Sequence, residues 1–245
     1  MIIRRKLLAI EGIDGSGKRT QIDLLCKLLD DRRVPHVRFS FPQYGSFFGR
    51  MVGRFLNGEF GPLEEVDPHF SALLYAGDRL EAKAELDRGL DAGKVVVTDR
   101  YIGSNLAHQG ARVPLARREA FLNWLGELEY GIYKLPAEEL VVYLRVPAGR
   151  AQQQVEQKTA RDYTRKKKDL QEADLKHLEE AAKVYDHLAA QPHWVTVECY
   201  DAAADTMRPP EEIHDEVVKK IEARAAFLVQ RERQRKSGPH DPPRI

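Results

Sequence analysis

The sequence predicts an α/β protein in which a parallel β-sheet is covered by helices on both faces. Short apolar runs alternate along the chain with longer segments of helical periodicity. Strands separated by helices need crossover connections, and these produce a parallel sheet. The runs are apolar without alternation, as expected for strands that are buried on both faces. We therefore expect one three-layer domain with a five-stranded parallel sheet, and its ligands should bind beyond the carboxyl ends of the strands.

Each predicted element has a local signal. The strands are three to five apolar residues long, at 7–10, 37–41, 95–97, 140–144 and 194–197. Asp67 before Pro68 is typical of a helix start, and Gly93 is typical of a helix end, so a long helix is expected over 68–91. The other helical patterns cover 19–29, 47–56, 114–131, 170–190 and 210–230, with a further helical start at Pro147.

Composition narrows the class of protein. The chain has 245 residues, of which 42% are hydrophobic, enough to form a real core. Its 39 basic and 38 acidic residues nearly cancel, so nucleic acid is not the expected partner. The two cysteines form neither a metal-binding spacing nor a disulfide framework, and no apolar run approaches the ~18 residues of a membrane span. A reducing cytoplasm is therefore the expected location, with no membrane partner.

The C-terminal end differs from the rest of the chain. Residues 231–245 hold five basic and two acidic residues together with glycine and proline. This composition favours a flexible, solvated tail after a single domain at 1–230. Contact of the tail with nucleic acid or an acidic partner is the alternative.

A glycine-rich segment follows the first predicted strand and opens the first helix. Gly12-Ile13-Asp14-Gly15-Ser16-Gly17-Lys18 has the G-x-x-x-x-G-K spacing of a P-loop. Glycines let the backbone wrap a phosphate, and the helix N-terminus adds positive potential. The lysine can place its ammonium on the β- and γ-phosphates. The segment predicts ATP binding by Gly12, Asp14, Gly15, Ser16, Gly17, Lys18, Arg19 and Thr20.

One position departs from the P-loop pattern. Ser or Thr normally follows the lysine and binds magnesium, but Arg19 stands there and cannot ligate a metal. Either Thr20 replaces it, or Mg²⁺ is held by carboxylates, waters and substrate phosphates. Asp14 and Asp99 are the candidate carboxylates, directly or through water.

The third strand ends in Asp99-Arg100. An acid at this place can hold a magnesium-bound water beside the P-loop, and the arginine can grip a phosphate with two hydrogen bonds. A helix cap is the alternative role for Asp99, and a surface salt bridge is the alternative for Arg100.

Together these motifs resemble the thymidylate kinase family, over roughly residues 5–225. The most specific matches are Glu11–Lys18, Asp99-Arg100-Tyr101, Ser104-Asn105 and Ala107-His108-Gln109. Tyr75 with Asp78-Arg79, and Phe41-Pro42, match less specifically. The resemblance implies phosphoryl transfer from ATP to dTMP with Mg²⁺, in a homodimer packed through helices.

The resemblance also implies roles for single residues. Asp14 would accept a hydrogen bond from the deoxyribose 3′-hydroxyl, Arg100 would bind the dTMP phosphate and Arg79 the base. Tyr75 would stack on thymine, at a position where the family usually has Phe. His108 would crowd the sugar 2′ position. Ser104 and Asn105 would approach the thymine edge, and Phe41-Pro42 would wall the acceptor pocket, with Tyr44 nearby. The full acceptor set is Asp14, Phe41, Pro42, Tyr44, Tyr75, Arg79, Arg100, Ser104, Asn105, His108, Gln109 and Tyr163.

Family members carry a catalytic arginine either in the P-loop or in a lid. Gly15 stands where the first group has its P-loop arginine, directly after Asp14. The lid, at about 150–169, must therefore supply the cation. Arg161 and Arg165 are the candidates, flanking Tyr163. The alternative for Arg165-Lys166-Lys167-Lys168 is a solvated basic face. With Lys18, Asp99 and Arg100, the two arginines complete the expected catalytic set.

Other functions would require different residues. A nucleoside kinase of the same fold would need a base for a neutral hydroxyl, with Glu11 or Asp99 as candidates. A GTPase would need N-K-x-D and D-x-x-G motifs, which the sequence lacks. A structural P-loop protein without activity is a third alternative because of Arg19. For Tyr75 and Phe41, plain core packing is the alternative to a substrate contact.

Overall fold

A computed structural model of the chain describes residues 6–156 and 175–224. Its centre is a five-stranded, fully parallel sheet, as the sequence predicts. The strands are β1 Leu7–Glu11, β2 His36–Ser40, β3 Val95–Asp99, β4 Leu140–Arg145 and β5 Trp194–Glu198. They lie in the order β2-β3-β1-β4-β5. The carboxyl ends of β1 and β3 lie side by side, because Ile10 pairs with Asp99.

Helices cover the sheet on both faces. The described helices are α1 Lys18–Asp31, α2 Phe47–Leu56, α3 Pro68–Asp91, α4 Ile102–Gly110, α5 Leu115–Gly126, α6 Ala148–Glu156, α7 Leu175–Leu188 and α8 Pro210–Arg224. Helices α1 and α8 pack together on one face, while α3, α4 and α7 pack on the other. Helix α2 lies on α3, and a second apolar cluster fills the space between them. The three-layer prediction is confirmed.

The start of α3 shows how local sequence sets an element. Asp67 is the N-cap, and its Oδ1 accepts the backbone N–H of His69 at 2.7 Å. Pro68 is the first helical residue, where its missing N–H costs nothing. The helix ends at Asp91, and Gly93 follows with a φ of +72°. The predicted bounds of this helix are confirmed.

Two elements have no counterpart among the predictions. Helix α4 has only nine residues, and all of them are buried although four are polar, so polarity does not mark an exposed face. Residues 200–201 and 206–207 form a two-stranded antiparallel pair, which is too short for a pattern. The pattern over 114–131 is α5 followed by a π-helical turn at Glu127–Ile132.

Several predictions fall outside the described residues. The lid candidate at 150–169 is described only up to residue 156, and the tail at 231–245 not at all. Among the described residues, no helix is both long and apolar enough to cross a membrane. Cys26 and Cys199 are free thiols.

Candidate active site

The loop between β1 and α1 requires its glycines. Gly12, Gly15 and Gly17 have φ values of +145°, +86° and +88°, which favour glycine. A Cβ on Gly12 would lie 2.7 Å from the carbonyl oxygen of Leu144. A Cβ on Gly15 would overlap the carbonyl oxygen of Ala151 in α6. The loop is therefore packed closely between the ends of β4 and α6.

Lys18 begins α1 and turns back over the loop. Its buried Nζ donates to the carbonyl oxygens of Gly12 and Ile13, both at 2.8 Å. The next two side chains, Arg19 and Thr20, are exposed at the helix start. The ammonium is thus held over the loop backbone, where a P-loop lysine meets phosphate.

Arg100 connects the loop to α4. Its Nη2 donates to Asp14 Oδ1 at 2.6 Å, and its Nη1 donates to the Gly12 carbonyl at 3.3 Å and to Ser104 Oγ at 3.0 Å. Burial opposes the charge, but Asp14 and, to a smaller extent, Tyr185, Asp99 and Glu11 together outweigh it and hold the pKa of Arg100 well above its usual value. The backbone φ of Arg100 is +65°, a strained conformation for a residue with a side chain. The guanidinium is mostly buried, with 16% of the Arg100 side chain exposed, and it is oriented by three partners, so it is not a surface salt bridge.

Glu11, at the end of β1, performs the capping that Asp99 does not. The N-cap residue of α4, Tyr101, makes no side-chain cap, and the fully buried Glu11 accepts its N–H at 2.7 Å. Glu11 also accepts the N–H and Oγ–H of Ser104, at 3.0 and 2.6 Å, and the hydroxyl of Tyr185 at 2.9 Å. Its oxygens are thereby committed to the start of α4 and to α7.

His108 lies against Arg100 from the next turn of α4. Its Nε2 is 3.4 Å from Arg100 Nη1, and its Nδ1 is 3.3 Å from His177 Nε2 on α7. Burial, and then the charge of Arg100, hold the pKa of His108 well below its usual value. Because a guanidinium only donates, Nε2 accepts, so Nδ1 carries the proton and donates to His177. The ring is neutral at neutral pH.

The residues expected at the base lie deeper between α3 and α4. Arg79 is buried and forms a two-pronged ion pair with Glu129, with both N–O distances at 2.6 Å. Asn105 Nδ2 donates to Glu129 at 2.9 Å. Gln109 Oε1 accepts from Ser71 at 2.7 Å. The structure therefore brings Arg79 and Asn105 to one shared carboxylate.

The expected aromatic walls have strong packing partners in the protein itself. Phe41 is buried against Phe39, with centroids 6.4 Å apart, and forms a cis peptide with Pro42. Tyr75 meets Phe55 edge-on at 6.4 Å in the α2–α3 cluster, which Tyr44 also joins. Their substrate contacts stay predictions.

Several residues of this region make contacts that the sequence did not indicate. Asp78 belongs to a motif match, but it had no expected role. Asp78 is buried, and its carboxylate accepts the N–H of Gln43 at 2.9 Å and the hydroxyl of Ser46 at 2.9 Å, which fixes the loop after β2. Arg161, Tyr163 and Arg165 lie outside the described residues. Three further residues make contacts here and belong to no sequence motif: Tyr185, His177 and Glu129.

Comparison with known proteins agrees with this geometry. A family model described as "Thymidylate kinase" matches residues 10–217. The thymidylate kinase of Mycobacterium tuberculosis is 33% identical over 189 residues, which cover 76% of this chain and 86% of the relative. A probable thymidylate kinase of Pyrobaculum aerophilum is 30% identical over 222 residues, covering 90% and 98%.

The fold is also found in a solved structure. Thymidylate kinase from Candida albicans superposes with a TM-score of 0.71 at 18% identity, over 91% of this chain and 94% of that one. At this identity the likeness shows the fold alone, while the sequence relatives and the family model give the family. The chain, with its P-loop and the Asp14–Arg100 pair beside it, belongs to the thymidylate kinase family.

Proposed function

We propose that the protein transfers the γ-phosphate of ATP to dTMP and releases ADP and dTDP. One observation supports this more than any other. Lys18 and Arg100, from segments far apart in sequence, both donate to the carbonyl oxygen of Gly12, at 2.8 and 3.3 Å. The two cations are therefore neighbours, one at the ATP loop and one at the start of the expected acceptor site. A phosphoryl group passing between two nucleotides would have a cation on each side.

This arrangement suits an acceptor that already carries charge. The dTMP phosphate is ionised at neutral pH, so the reaction needs alignment and charge neutralisation and no strong base. Arg100 would bind the acceptor phosphate, with Asp14 holding its guanidinium in place. We place ATP on the loop 12–20, and we assign the remaining cations to Arg161 and Arg165.

A nucleoside kinase is the nearest competitor, and the structure disfavours one of its two candidate bases. Glu11 is fully buried and accepts four hydrogen bonds, from Tyr101, Tyr185 and twice from Ser104. Such a carboxylate is a poor proton acceptor for a substrate hydroxyl, which leaves only Asp99. An ADP-release assay across dTMP, dUMP, dCMP, UMP and thymidine separates the two functions. Turnover of thymidine in preference to dTMP would overturn the proposal.

The oxygen donors beside the loop fit magnesium. Asp14 and Asp99 offer carboxylates, the donors that Mg²⁺ prefers. Within residues 6–156 and 175–224, no group of three or more His, Cys, Asp or Glu side chains is arranged to hold a metal. Magnesium typically takes one or two carboxylates and completes its shell with water and phosphate oxygens. When bound, it would neutralise charge on the ATP phosphates.

Asp99→Asn should raise the magnesium concentration needed for half-maximal activity about tenfold or more. The physical reason is that the amide keeps the shape of the side chain but loses the charge that attracts the cation. Arg19→Ser is the matched comparison, since it restores the usual hydroxyl and removes an exposed cation from the helix start. That variant should bind ATP more weakly and keep its activity at saturating ATP and magnesium. An unchanged magnesium titration for Asp99→Asn would place the metal elsewhere.

His108→Ala should narrow the preference for dTMP over its ribose analogue, mainly by raising activity on the latter. The buried neutral ring occupies space beside Arg100, where the acceptor sugar is expected. The ratio of kcat/KM for the two nucleotides measures the effect. His187→Ala, an exposed histidine on α7, is the control. An unaltered ratio in His108→Ala would show that the ring does not face the 2′ position.

We also propose a homodimer and a reducing, cytoplasmic location. Phe70, Leu73 and Leu80 of α3 are substantially exposed, at 41%, 39% and 39%, and form an apolar stripe at helical spacing. Both cysteines are free thiols, as expected in a reducing compartment. Sedimentation equilibrium tests the dimer, and a mass of 28.0 kDa at micromolar concentration would contradict it.

A further inference from the structure

A single buried carboxylate holds two of the residues that are expected to contact the base, Arg79 and Asn105. Glu129 is fully buried in the π-helical turn Glu127–Ile132. Its Oε2 accepts Arg79 Nε, and its Oε1 accepts Arg79 Nη2, both at 2.6 Å. Two parallel bonds fix the plane of the guanidinium as well as its position.

The same carboxylate, together with a backbone carbonyl, fixes the orientation of the Asn105 amide. Asn105 Nδ2 donates to Glu129 Oε1 at 2.9 Å and to the carbonyl oxygen of Ala72 at 3.0 Å. Both of these partners can only accept, so the NH₂ group must face them and the oxygen must face away. Asn105 Oδ1 is buried and has no hydrogen-bond partner among the described residues. A buried, unpaired acceptor is costly unless a ligand supplies a donor.

The location of Glu129 in a π-helix is a second observation. The backbone N–H of Tyr133 donates to the carbonyl of Leu128 at 2.9 Å, an i→i+5 bond. Such turns carry one extra residue, and they occur frequently at functional sites. A buried ion pair is also weak evidence for stability, because desolvation offsets most of its attraction. Stability alone therefore does not explain why Glu129 is placed against Arg79.

The resulting pattern of donors and acceptors matches one class of pyrimidine. A fixed guanidinium donates, which suits the 4-oxo group of thymine or uracil and opposes the 4-amino group of cytosine. A fixed Asn105 Oδ1 accepts, which suits the N3–H of thymine or uracil and opposes the bare N3 of cytosine. Without the charge of Glu129, Arg79 would lose its anchor, and the Ala72 carbonyl would hold the Asn105 amide with a single hydrogen bond in place of two.

We propose that Glu129 is a positioning residue that makes the acceptor site selective for 4-oxo over 4-amino pyrimidine monophosphates. The inference rests on the proposed function, in which Arg79 and Asn105 contact the base. It deepens that function, because it assigns base selectivity to a residue that does not touch the substrate. Sites built around hydrogen bonds discriminate strongly, since a mismatched ligand leaves buried polar groups unpaired.

The test compares dTMP and dCMP in Glu129→Gln. We expect the dTMP-to-dCMP ratio of kcat/KM to fall at least about tenfold. The loss with dTMP should be mainly in KM, because the reacting phosphate lies at Arg100 and not at Glu129. Calorimetric titration should show that the difference between the Kd values of dTMP and dCMP also becomes smaller. Glu129→Asp keeps the charge but shortens the side chain, and it should give a smaller change of the same sign.

Glu138→Gln is the matched control. Glu138 is also a buried acid near the π-helix, where it accepts the hydroxyl of Tyr130 at 2.7 Å, and burial raises its pKa to about 7. This variant should keep the wild-type ratio even if its Tm falls.

The outcomes separate this inference from the proposed function. A wild-type ratio in folded Glu129→Gln, or in Glu129→Asp if the first variant does not fold, would overturn the inference alone. An equal fall of the dTMP-to-dCMP ratio in Glu138→Gln would also overturn it, because the ratio would then depend on the stability of the core in general. Wild-type protein that does not phosphorylate dTMP would overturn the proposed function instead.

Discussion

Replacing Lys18 with alanine should lower kcat/KM for dTMP at least about 100-fold, on the order of 3 kcal/mol of lost transition-state stabilisation. The ammonium is held over the loop by the carbonyls of Gly12 and Ile13, so it meets the ATP phosphates without reorganisation. Most of the loss should be in kcat, because charge on the transferring group develops during the reaction. Steady-state kinetics at saturating magnesium measure both parameters.

Lys27→Ala provides the control for this variant. Lys27 lies on the same helix with an exposed side chain, so its loss should change the rate little. Circular dichroism and Tm confirm that both proteins are folded. Near-normal turnover by folded Lys18→Ala would mean that the loop does not bind the transferred phosphate.

Arg100→Ala should produce a loss of similar size, again at least about 100-fold in kcat/KM. Removal of the guanidinium takes away the expected cation on the acceptor phosphate and leaves Asp14 without its ion-pair partner. Both effects place uncompensated negative charge where two phosphates must approach. KM for dTMP should therefore rise more than KM for ATP, which product-release assays with each substrate varied in turn would measure.

Two further variants serve as comparisons for Arg100→Ala. Arg100→Lys retains the charge but not the two-pronged geometry, and it should recover only part of the activity. Arg117→Ala removes an exposed arginine of α5 and should behave like the wild type. If Arg100→Ala raised only KM for ATP, the guanidinium would belong to the donor side and our assignment of the acceptor phosphate would be wrong.

The sequence predicted most of the sheet because its strands leave a simple signal. Every residue of β1 is buried, and such a run of apolar residues can be recognised without structural information. Helix α4 is buried as completely, but four of its nine residues are polar, so its sequence does not show which side faces the core. The chemistry on α4 was recognised from its motif, but its helical form was not.

The candidate site was predicted as far as its motifs extend along the chain. The P-loop could be found because its glycines and lysine are adjacent in sequence and perform one task. Glu129 is 50 residues from Arg79, and Tyr185 is 174 residues from Glu11. Partners at such separations are brought together only by the packing of whole elements, so a single sequence contains no local trace of them.

The contact between Gly15 and α6 limits how this enzyme can change over evolutionary time. Members of the family that this chain resembles carry a catalytic arginine either in the P-loop or in the lid. Position 15 is the place of this arginine in the P-loop group. Here a side chain at that position would overlap the backbone of Ala151, and the φ of +86° would strain it as well. One codon change could supply the arginine but could not make room for it. In this chain an arginine at position 15 would need α6 to shift first, so no single substitution at this position moves the catalytic arginine into the P-loop.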